Sequence, residues 1–479
     1  MLTTLAAPAF AGTWYIEDGD ITVKAGETEG TNKVSQGANQ EVEDTDTIIK
    51  NREDRASSNT VTIDAGDDKV EVTLKDVNID TSSRNKAAVS VTGSGNTTIK
   101  LDGDNHLTGG NGIYSNSSGS LTISGDENDS LTAQGGDSRN GIYSVSGDVT
   151  ISGGTVTATG GNSTGSYGSG GDGIHSGSLT ISGGTVTATG GGSTGSNGLG
   201  GRGIYSVSGG VTISGGTVTA TGGNSTGSYG SGGDGIHSGS LTVSDGTVTA
   251  NGGNGKNGSG GSGIFSLGRV AVSGSTVNAA GGSSSRNGGS GIYSSDIDLS
   301  GSLELTAKAG SPNGKALSQK GSELVLDTIK DKLGPGTKVT ATDANGETKQ
   351  VSIPRPVEPE EPVIPEESSS SSDGGSAAPS VPASSLPGLT VTDKDGQRIS
   401  YTSTQSGNTL TVCVGRFTAS FRISLAALRQ LRAEGIETIA FQTVLCSTTL
   451  SVDELLAMGG EDAEAVLTHR LTDSSLTVG

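Results

Sequence analysis

Residues 148–177 read DVTISGGTVTATGGNSTGSYGSGGDGIHSG, and residues 210–239 repeat these 30 letters with one change, Asp148 to Gly210. A looser copy, SLTISGGTVTATGGGSTGSNGLGGRGIYSVSG, fills residues 178–209 between them. One unit of this size is too small to enclose a hydrophobic core. Near-copies in tandem are therefore typical of a solenoid, in which each unit covers its neighbour.

Within one unit, hydrophobic residues alternate with polar ones. Leu179 and Ile181 are separated by one threonine, and so are Val186 and Ala188 a few residues later. This period of two predicts strands with one face in the core. The motif GIYS at 203–206 supplies a third short strand. Three strands per coil, bent from one another at glycines, predict an all-β fold, namely a parallel β-helix.

The composition of the chain limits its possible functions. It has 479 residues, of which 30% are hydrophobic and 82 are glycine, and its formal net charge is −21. By composition alone it is similar to disordered proteins, but the regular spacing of the hydrophobic residues predicts a folded coil. The acidic balance and the lack of a basic stripe exclude nucleic-acid binding. No hydrophobic run is long enough to span a membrane.

The patterns divide the chain into six segments. The first contains Ala9-Phe10-Ala11, which has the small-x-small form of a signal-peptidase site, and we interpret it as the remnant of an export signal. A plain disordered N-terminus is the alternative. The predicted segments are the export-signal remnant 1–11, an N-terminal cap 12–60, the β-helix repeats 61–321, a C-terminal cap 322–353 with a short helix and a hairpin, a Pro/Glu/Ser-rich linker 354–385, and a module 386–479.

The C-terminal module has a different pattern, which predicts a small α+β domain. Ser424 precedes a helical run that Gly435 closes, and Ser451 with Glu454 has the form of a capping box before a second helix. A hairpin, AVLTHRL–TDSS–LTV, follows. Cys413 and Cys446 are both predicted in strands, and a disulfide or two buried free thiols are equally compatible with this position. LPGLT at 386–390 is not a usable sortase signal, because no glycine follows the threonine and a folded domain comes next.

Several stretches resemble a known family. They are TWYIEDGDITV, TVTIDAG with VTLKDVNID, IKLDGDNHLTGG, and the repeated LTISGGTVTATGG with GIYS. Over roughly residues 12–325 they look like the glycine-rich β-helical, carbohydrate-binding-domain-containing proteins of Gram-positive bacterial surfaces. The resemblance implies a right-handed parallel β-helix, an extracellular or cell-surface location, binding of extracellular polysaccharide and, in some members, bound calcium. The module 386–479 resembles tails of similar surface proteins, so a cell-wall or surface-protein partner is possible there.

A GI-aromatic-Ser anchor recurs with a spacing of 28 to 32 residues, and the length changes fall in one glycine/serine loop. If the isoleucine points inward, the next residue points outward. Rings in such a column would be spaced by about 4.8 Å and could stack on sugars, or could only brace the solenoid. Tyr167 and Tyr229, inside the variable loops, are the better candidates for exposed contacts. The column consists of Tyr114, Tyr143, His175, Tyr205, His237, Phe265 and Tyr293.

Three further patterns have both a functional and a structural interpretation. The position before the anchor glycine places Arg202 between aspartates one coil away on either side, which predicts a surface salt bridge or a polar sugar site. Acidic turns at Asp102/Asp104 and Asp126/Glu127/Asp129 are candidates for calcium, although solvated acids explain them as well. Outward threonines resemble the TxT arrays of ice-binding β-helices, yet threonine is also a common exposed strand residue.

We find no pattern that predicts catalysis. The repeat strands carry Thr, Ser, Val and Ala where β-helical lyases need acids and a base, and none of the four histidines has a nucleophile near it in sequence. We therefore predict no enzyme, no catalytic residues and no required cofactor. The predicted function is non-catalytic binding of polysaccharide. The alternative is a structural or adhesive stalk in which the solenoid is a spacer and the module makes the contact. Ice binding and polysaccharide lysis are remote alternatives.

Overall fold

The computed structural model describes residues 11–206, 209–354, 389–393, 398–399, 401–406, 408–414, 418–443, 447–459, 463–469 and 474–478. The proposed export-signal remnant up to residue 10, the linker from 355, Phe417 and Cys446 lie outside these ranges. The chain forms two compact units, residues 1–360 and 361–479. Each unit is considered by itself.

The first unit is a parallel β-helix of about 12 turns, which confirms the predicted fold class. Each coil contributes three strands, which we assign to faces A, B and C in chain order. Face A contains the anchor strands, and each pairs in parallel with the next. Its strands are Ile21–Ala25, Val61–Asp64, Val89–Thr92, Ile113–Ser115, Ile142–Ser144, Ile174–Ser176, Ile204–Ser206, Ile236–Ser238, Ile264–Ser266, Ile292–Ser294 and Leu317–Gln319.

Faces B and C are joined in one hydrogen-bonded sheet. Face B consists of Thr13–Tyr15, Ile48–Lys50, Val70–Lys75, Thr97–Asp102, Leu121–Ser124, Val149–Ile151, Leu179–Ile181, Arg269–Val272 and Asp296–Leu299. Face C consists of Asn78–Asp80, Asp104–Gly109, Ser130–Gly135, Thr155–Thr159, Thr185–Thr189, Thr276–Ala280, Glu304–Lys308 and Lys338–Thr342. Two long strands, Gly210–Thr221 and Ser240–Asn251, run through both faces. At the bend between faces B and C a glycine such as Gly184 has φ +77°, a conformation that favours glycine.

The interior of the solenoid is narrow and aliphatic. In one coil Ile174, Leu179, Ile181, Val186 and Ala188 all point inward with no exposed surface. Full burial of one such side chain as large as valine or leucine is worth about 1.5 to 3 kcal/mol. The alternation read from the sequence therefore assigns the inward residues correctly, and every anchor isoleucine lies in the core.

Both ends of the solenoid carry antiparallel strands, which cover otherwise open sheet edges. At the N-terminal end, Asn32–Gln36 pairs with the first face A strand and with Asn39–Asp44. Trp14 donates its indole N–H to Asp44 at 2.6 Å. At the C-terminal end Ser322–Glu323 closes face A and Thr348–Ser352 forms a hairpin with the last face C strand. Short 3₁₀ helices span Ile16–Asp18, Ser82–Arg84 and Leu326–Lys332.

In its described residues the second unit contains two four-stranded sheets and two helices, and this α+β character agrees with the sequence. One sheet consists of Leu389–Thr392, Ala419–Ser424, Glu464–His469 and Ser474–Val478, and the other of Thr402–Ser406, Thr409–Cys413, Thr438–Gln442 and Ser447–Ser451. The helices are Leu425–Ala433 and Val452–Met458. Ser424 and Ser451 cap them by accepting backbone N–H groups of Ala427 and Glu454. Cys413 lies at a strand end; its predicted partner Cys446 is outside the described residues.

Candidate ligand-binding edge

Seven aromatic side chains form a continuous column on face A. Each follows an inward isoleucine, and the parallel register pairs each with the next. Neighbouring ring centroids lie between 4.6 and 5.6 Å apart. This ring column consists of the predicted residues Tyr114, Tyr143, His175, Tyr205, His237, Phe265 and Tyr293. The structure therefore brings all of them together along one line.

The rings of the column are half-buried and pack mainly on one another. From Tyr143 to His237 they meet edge to face, with interplanar angles of 70° to 88°. Phe265 and Tyr293 are stacked at 5°. Aromatic neighbours in these geometries stabilise each other by about 0.5 to 1.5 kcal/mol beyond their burial. In the stacked pairs the ring faces cover each other, whereas in each edge-to-face pair only one of the two rings has its face covered by its neighbour.

Aspartates at the position before the anchor glycine hold the two histidines in place. His175 Nδ1 lies 2.9 Å from one carboxylate oxygen of Asp172, and His237 Nδ1 lies 2.8 Å from Asp234. The other oxygen of Asp172 accepts the backbone N–H of Arg202 in the next coil at 2.8 Å. Each aspartate therefore orients an imidazole and also satisfies a backbone donor between coils, a double role that spacing alone did not indicate.

Arg202 lies beside this column. Its guanidinium carbon is 4.2 Å from the centroid of the Tyr205 ring, and its Nη1 is 4.0 Å from Asp172. The predicted position next to an aspartate is correct for Asp172. At 4.0 Å the ion pair with Asp172 is long and weak, while the guanidinium packs over the face of the Tyr205 ring.

Tyr167 and Tyr229 protrude from the loops that join face C to face A, and we call this side of the solenoid the loop edge. Their side chains are 80% and 65% exposed, as the sequence predicted. The loops stack in register, since Asn197 N donates to Ser166 O at 2.8 Å and Tyr229 N donates to Ser196 O at 2.7 Å. The two tyrosines therefore lie two coils apart, at about 10 Å.

The intervening loop forms the same turn without a tyrosine. The segments GSYG at 165–168, GSNG at 195–198 and GSYG at 227–230 each close with the same hydrogen bond, from the last glycine N–H to the first glycine carbonyl. These bonds measure 2.8, 3.0 and 3.1 Å. Asn197 thus stands where the other two loops have tyrosine, without any change in the turn.

Three of the acidic side chains considered for calcium, those of Asp102, Asp104 and Asp129, are engaged in hydrogen bonds or an ion pair. Asp129 accepts the backbone N–H groups of Gly103 and Asp126, and Asp104 accepts the hydroxyl of Ser130. Asp102 pairs with Lys75 at 2.6 Å. Within the described residues, no group of three or more His, Cys, Asp or Glu side chains is placed to hold a metal ion.

The outward threonines lie in register on face C over four coils. Thr157 pairs with Thr187, and the series continues into the next two coils before Asn278 replaces threonine. The loops that carry Tyr167 and Tyr229 begin at the end of this face. The full set is Thr155, Thr157, Thr185, Thr187, Thr217, Thr219, Thr247 and Thr249.

The fold and this surface define a parallel β-helix with an aromatic face beside an exposed loop edge. Comparison of the chain with protein-family models, with curated proteins and with solved structures finds no match. In the part of the chain that the structure describes, no helix has the length and hydrophobicity needed to cross a membrane.

Proposed function

We propose that this protein is a non-catalytic, exported polysaccharide-binding β-helix of the bacterial surface, and that its loop edge makes the main contact with the glycan. The observation that carries this proposal is the pair Tyr167 and Tyr229, two large rings left in water at equivalent positions. A sugar presents a C–H face that packs on such a ring, and tyrosine also offers a hydroxyl for hydrogen bonding.

The internal comparison with Asn197 supports a role in binding. A side chain required for packing would be needed in all three loops, but the middle loop keeps its turn with asparagine. Exposed rings at a two-coil interval suit an extended polymer, because a repeating ligand offers equivalent groups at regular steps. The half-buried ring column flanks this edge and would supply secondary contacts.

The test is binding of the full chain to a panel of immobilised polysaccharides, followed by titration with the best ligand. Tyr167→Asn/Tyr229→Asn gives both loops the residue of the middle loop, and we expect a loss of affinity of about tenfold or more with unchanged thermal stability. Asn197→Tyr places a third ring in line and is expected to strengthen binding.

The matched control is Leu267→Asn, which removes an equally exposed hydrophobic side chain, 65% accessible, from the opposite side of face A. It is expected to bind as the parent protein does. If no polysaccharide binds the chain while whole bacterial cells still bind it through the C-terminal module, the stalk alternative replaces this proposal.

A further inference from the structure

The ring column ends in a groove at its N-terminal end. Tyr114 pairs in register with Ser90, and Ser90 with Thr62, so small hydroxyl side chains take the places of rings in the two preceding coils. The side of the Tyr114 ring that faces Ser90 therefore has no aromatic neighbour. The surface depression here is lined by these three residues together with Tyr143, Lys86 and Arg139.

The position of the two cations follows from the register of the loops. Gly110 N donates to Lys86 O at 2.6 Å, and Asn140 N, next to Arg139, donates to the side chain of Asn111 at 2.9 Å. Lys86, Gly110 and Arg139 are thus successive members of one column, two residues before the position of the anchor glycine. Gly110 has no side chain, so the cations flank a gap that opens above Tyr114.

The charge of this groove is opposite to that of the whole chain. The formal net charge is −21, yet no Asp or Glu is among the described residues that line the groove. Lys86 and Arg139 are both exposed, and within the described ranges neither takes part in an ion pair. Most other Lys and Arg side chains described in the N-terminal half form ion pairs, for example Arg84 with Asp20 and Lys75 with Asp102. Two unpaired cations over a small polar floor favour an anionic ligand.

We infer that this groove binds an anionic sugar unit, with Lys86 and Arg139 on the acidic group, the open side of the Tyr114 ring against the sugar, and the hydroxyls of Thr62 and Ser90 below it. This inference rests on the proposed polysaccharide function and narrows its ligand to an acidic glycan. An arginine guanidinium matches the planar, two-oxygen geometry of a carboxylate, and sulfate shares the same negative charge.

The ligand test uses the full chain and two pairs of probes, polygalacturonate with its methyl ester and dextran sulfate with dextran. Each pair keeps the backbone and changes the charge. We expect the acidic member to bind more tightly, with an affinity that falls as salt is added. Preference for polygalacturonate identifies a carboxylate and preference for dextran sulfate a sulfate, and either supports the inference.

The variant Lys86→Gln/Arg139→Gln is expected to weaken binding of the acidic probe by about tenfold and to flatten its salt dependence, since charged hydrogen bonds are lost. Lys338→Gln/Lys349→Gln is the control, because it removes the same net charge from exposed strand positions of the C-terminal hairpin, outside the loop edge. Exposed substitutions of this kind leave the core intact.

Equal binding of the charged and neutral probes, or an unchanged affinity of the Lys86/Arg139 variant, overturns the inference and leaves the proposed function standing. Tyr167→Asn/Tyr229→Asn separates the two, because it is expected to weaken neutral and acidic probes alike. If neither member of either pair binds and the polysaccharide panel is also negative, the proposed function fails and the groove assignment fails with it.

Discussion

The solenoid and the C-terminal module place their aromatic residues in opposite ways. In the module, Phe421 and Phe441 are fully buried and their ring centroids lie 5.4 Å apart. In the solenoid, the seven rings of the column stand outside a core of Ile, Leu, Val and Ala. A coil with five inward aliphatic residues has no room for a ring, so the aromatics of the repeat coils pack at the surface, whereas Trp14 is buried in the N-terminal cap. An aromatic residue of the module therefore packs in the core, whereas one in a repeat coil of the solenoid packs at the surface.

The two units also differ in how far a local change spreads. A solenoid coil contacts mainly its two neighbours, so its stability is close to a sum of local terms. The module closes its two sheets and two helices around one core, in which Phe441 and Leu428 belong to the same cluster. A small domain of this kind is expected to unfold as one cooperative unit.

The largest expected effect comes from Phe441→Ala in the module. The ring is fully buried against Phe421 and His469, so its removal leaves a cavity and is expected to lower the free energy of unfolding of the module by about 3 to 5 kcal/mol. Hydrogen exchange followed by mass spectrometry, with urea, measures this on peptides from 418–443.

Phe265→Ala makes the same chemical change in the ring column and is the matched control. It removes two stacking contacts, to His237 at 4.6 Å and Tyr293 at 4.9 Å, and is expected to cost about 1 to 2 kcal/mol. Equal losses at the two positions would contradict the view that solenoid rings lie outside the core.

The second prediction concerns the close stacking of the loop edge. A Cβ on Gly191 would lie 2.0 Å from the carbonyl oxygen of Gly161 in the preceding coil, so Gly191→Ala forces the two loops apart. We expect a loss of about 1 to 3 kcal/mol, seen as faster hydrogen exchange in the adjoining coils only. The fluorescence of Trp14, near the start of the solenoid, is expected to stay unchanged.

Gly165→Ala is the control in a neighbouring loop, where the nearest atom to the new Cβ is 3.7 Å away. It is expected to be neutral or slightly stabilising, because alanine reduces the freedom of the unfolded chain. Faster exchange along the whole solenoid in Gly191→Ala would show that coils unfold together and would remove this distinction between the two units.

The sequence allowed the strands and the inward residues to be predicted, because period two and the repeat length depend on local spacing alone. It also gave the line of rings and the exposure of Tyr167 and Tyr229. How far the rings are buried depends on their angles to each other, and spacing carries no information on this. The double role of Asp172 was missed because one side chain contacts two coils. The two cations of the groove could have been found from the sequence. Extending the alignment of the repeats toward the N-terminus places Ser90 in the ring column and Lys86 two residues before the position of the anchor glycine.

The smallest expected effect is a pH dependence confined to the module. His469 is fully buried and contacts the hydroxyl of Thr448 at 2.9 Å and that of Thr443 at 3.4 Å. Desolvation by burial lowers the pKa of His469 below the ordinary histidine value of 6.5. The folded module therefore holds a neutral imidazole where the unfolded chain binds a proton.

Because the folded pKa of His469 is lowered, its contribution to stability is fully present above about pH 6.5 and is lost as the pH falls from there toward the folded pKa. The slope cannot exceed about 1.4 kcal/mol per pH unit for one proton. Asp453, whose pKa is lowered from 3.8 by its hydrogen bonds with Arg432, affects stability only at lower pH.

Hydrogen exchange of peptides from 418–443, measured between pH 5 and 8 and corrected for the intrinsic exchange rate, gives the slope of stability with pH. His469→Gln is expected to be less stable at every pH but to lose this slope, and a slope that persists in His469→Gln would assign the proton to another group.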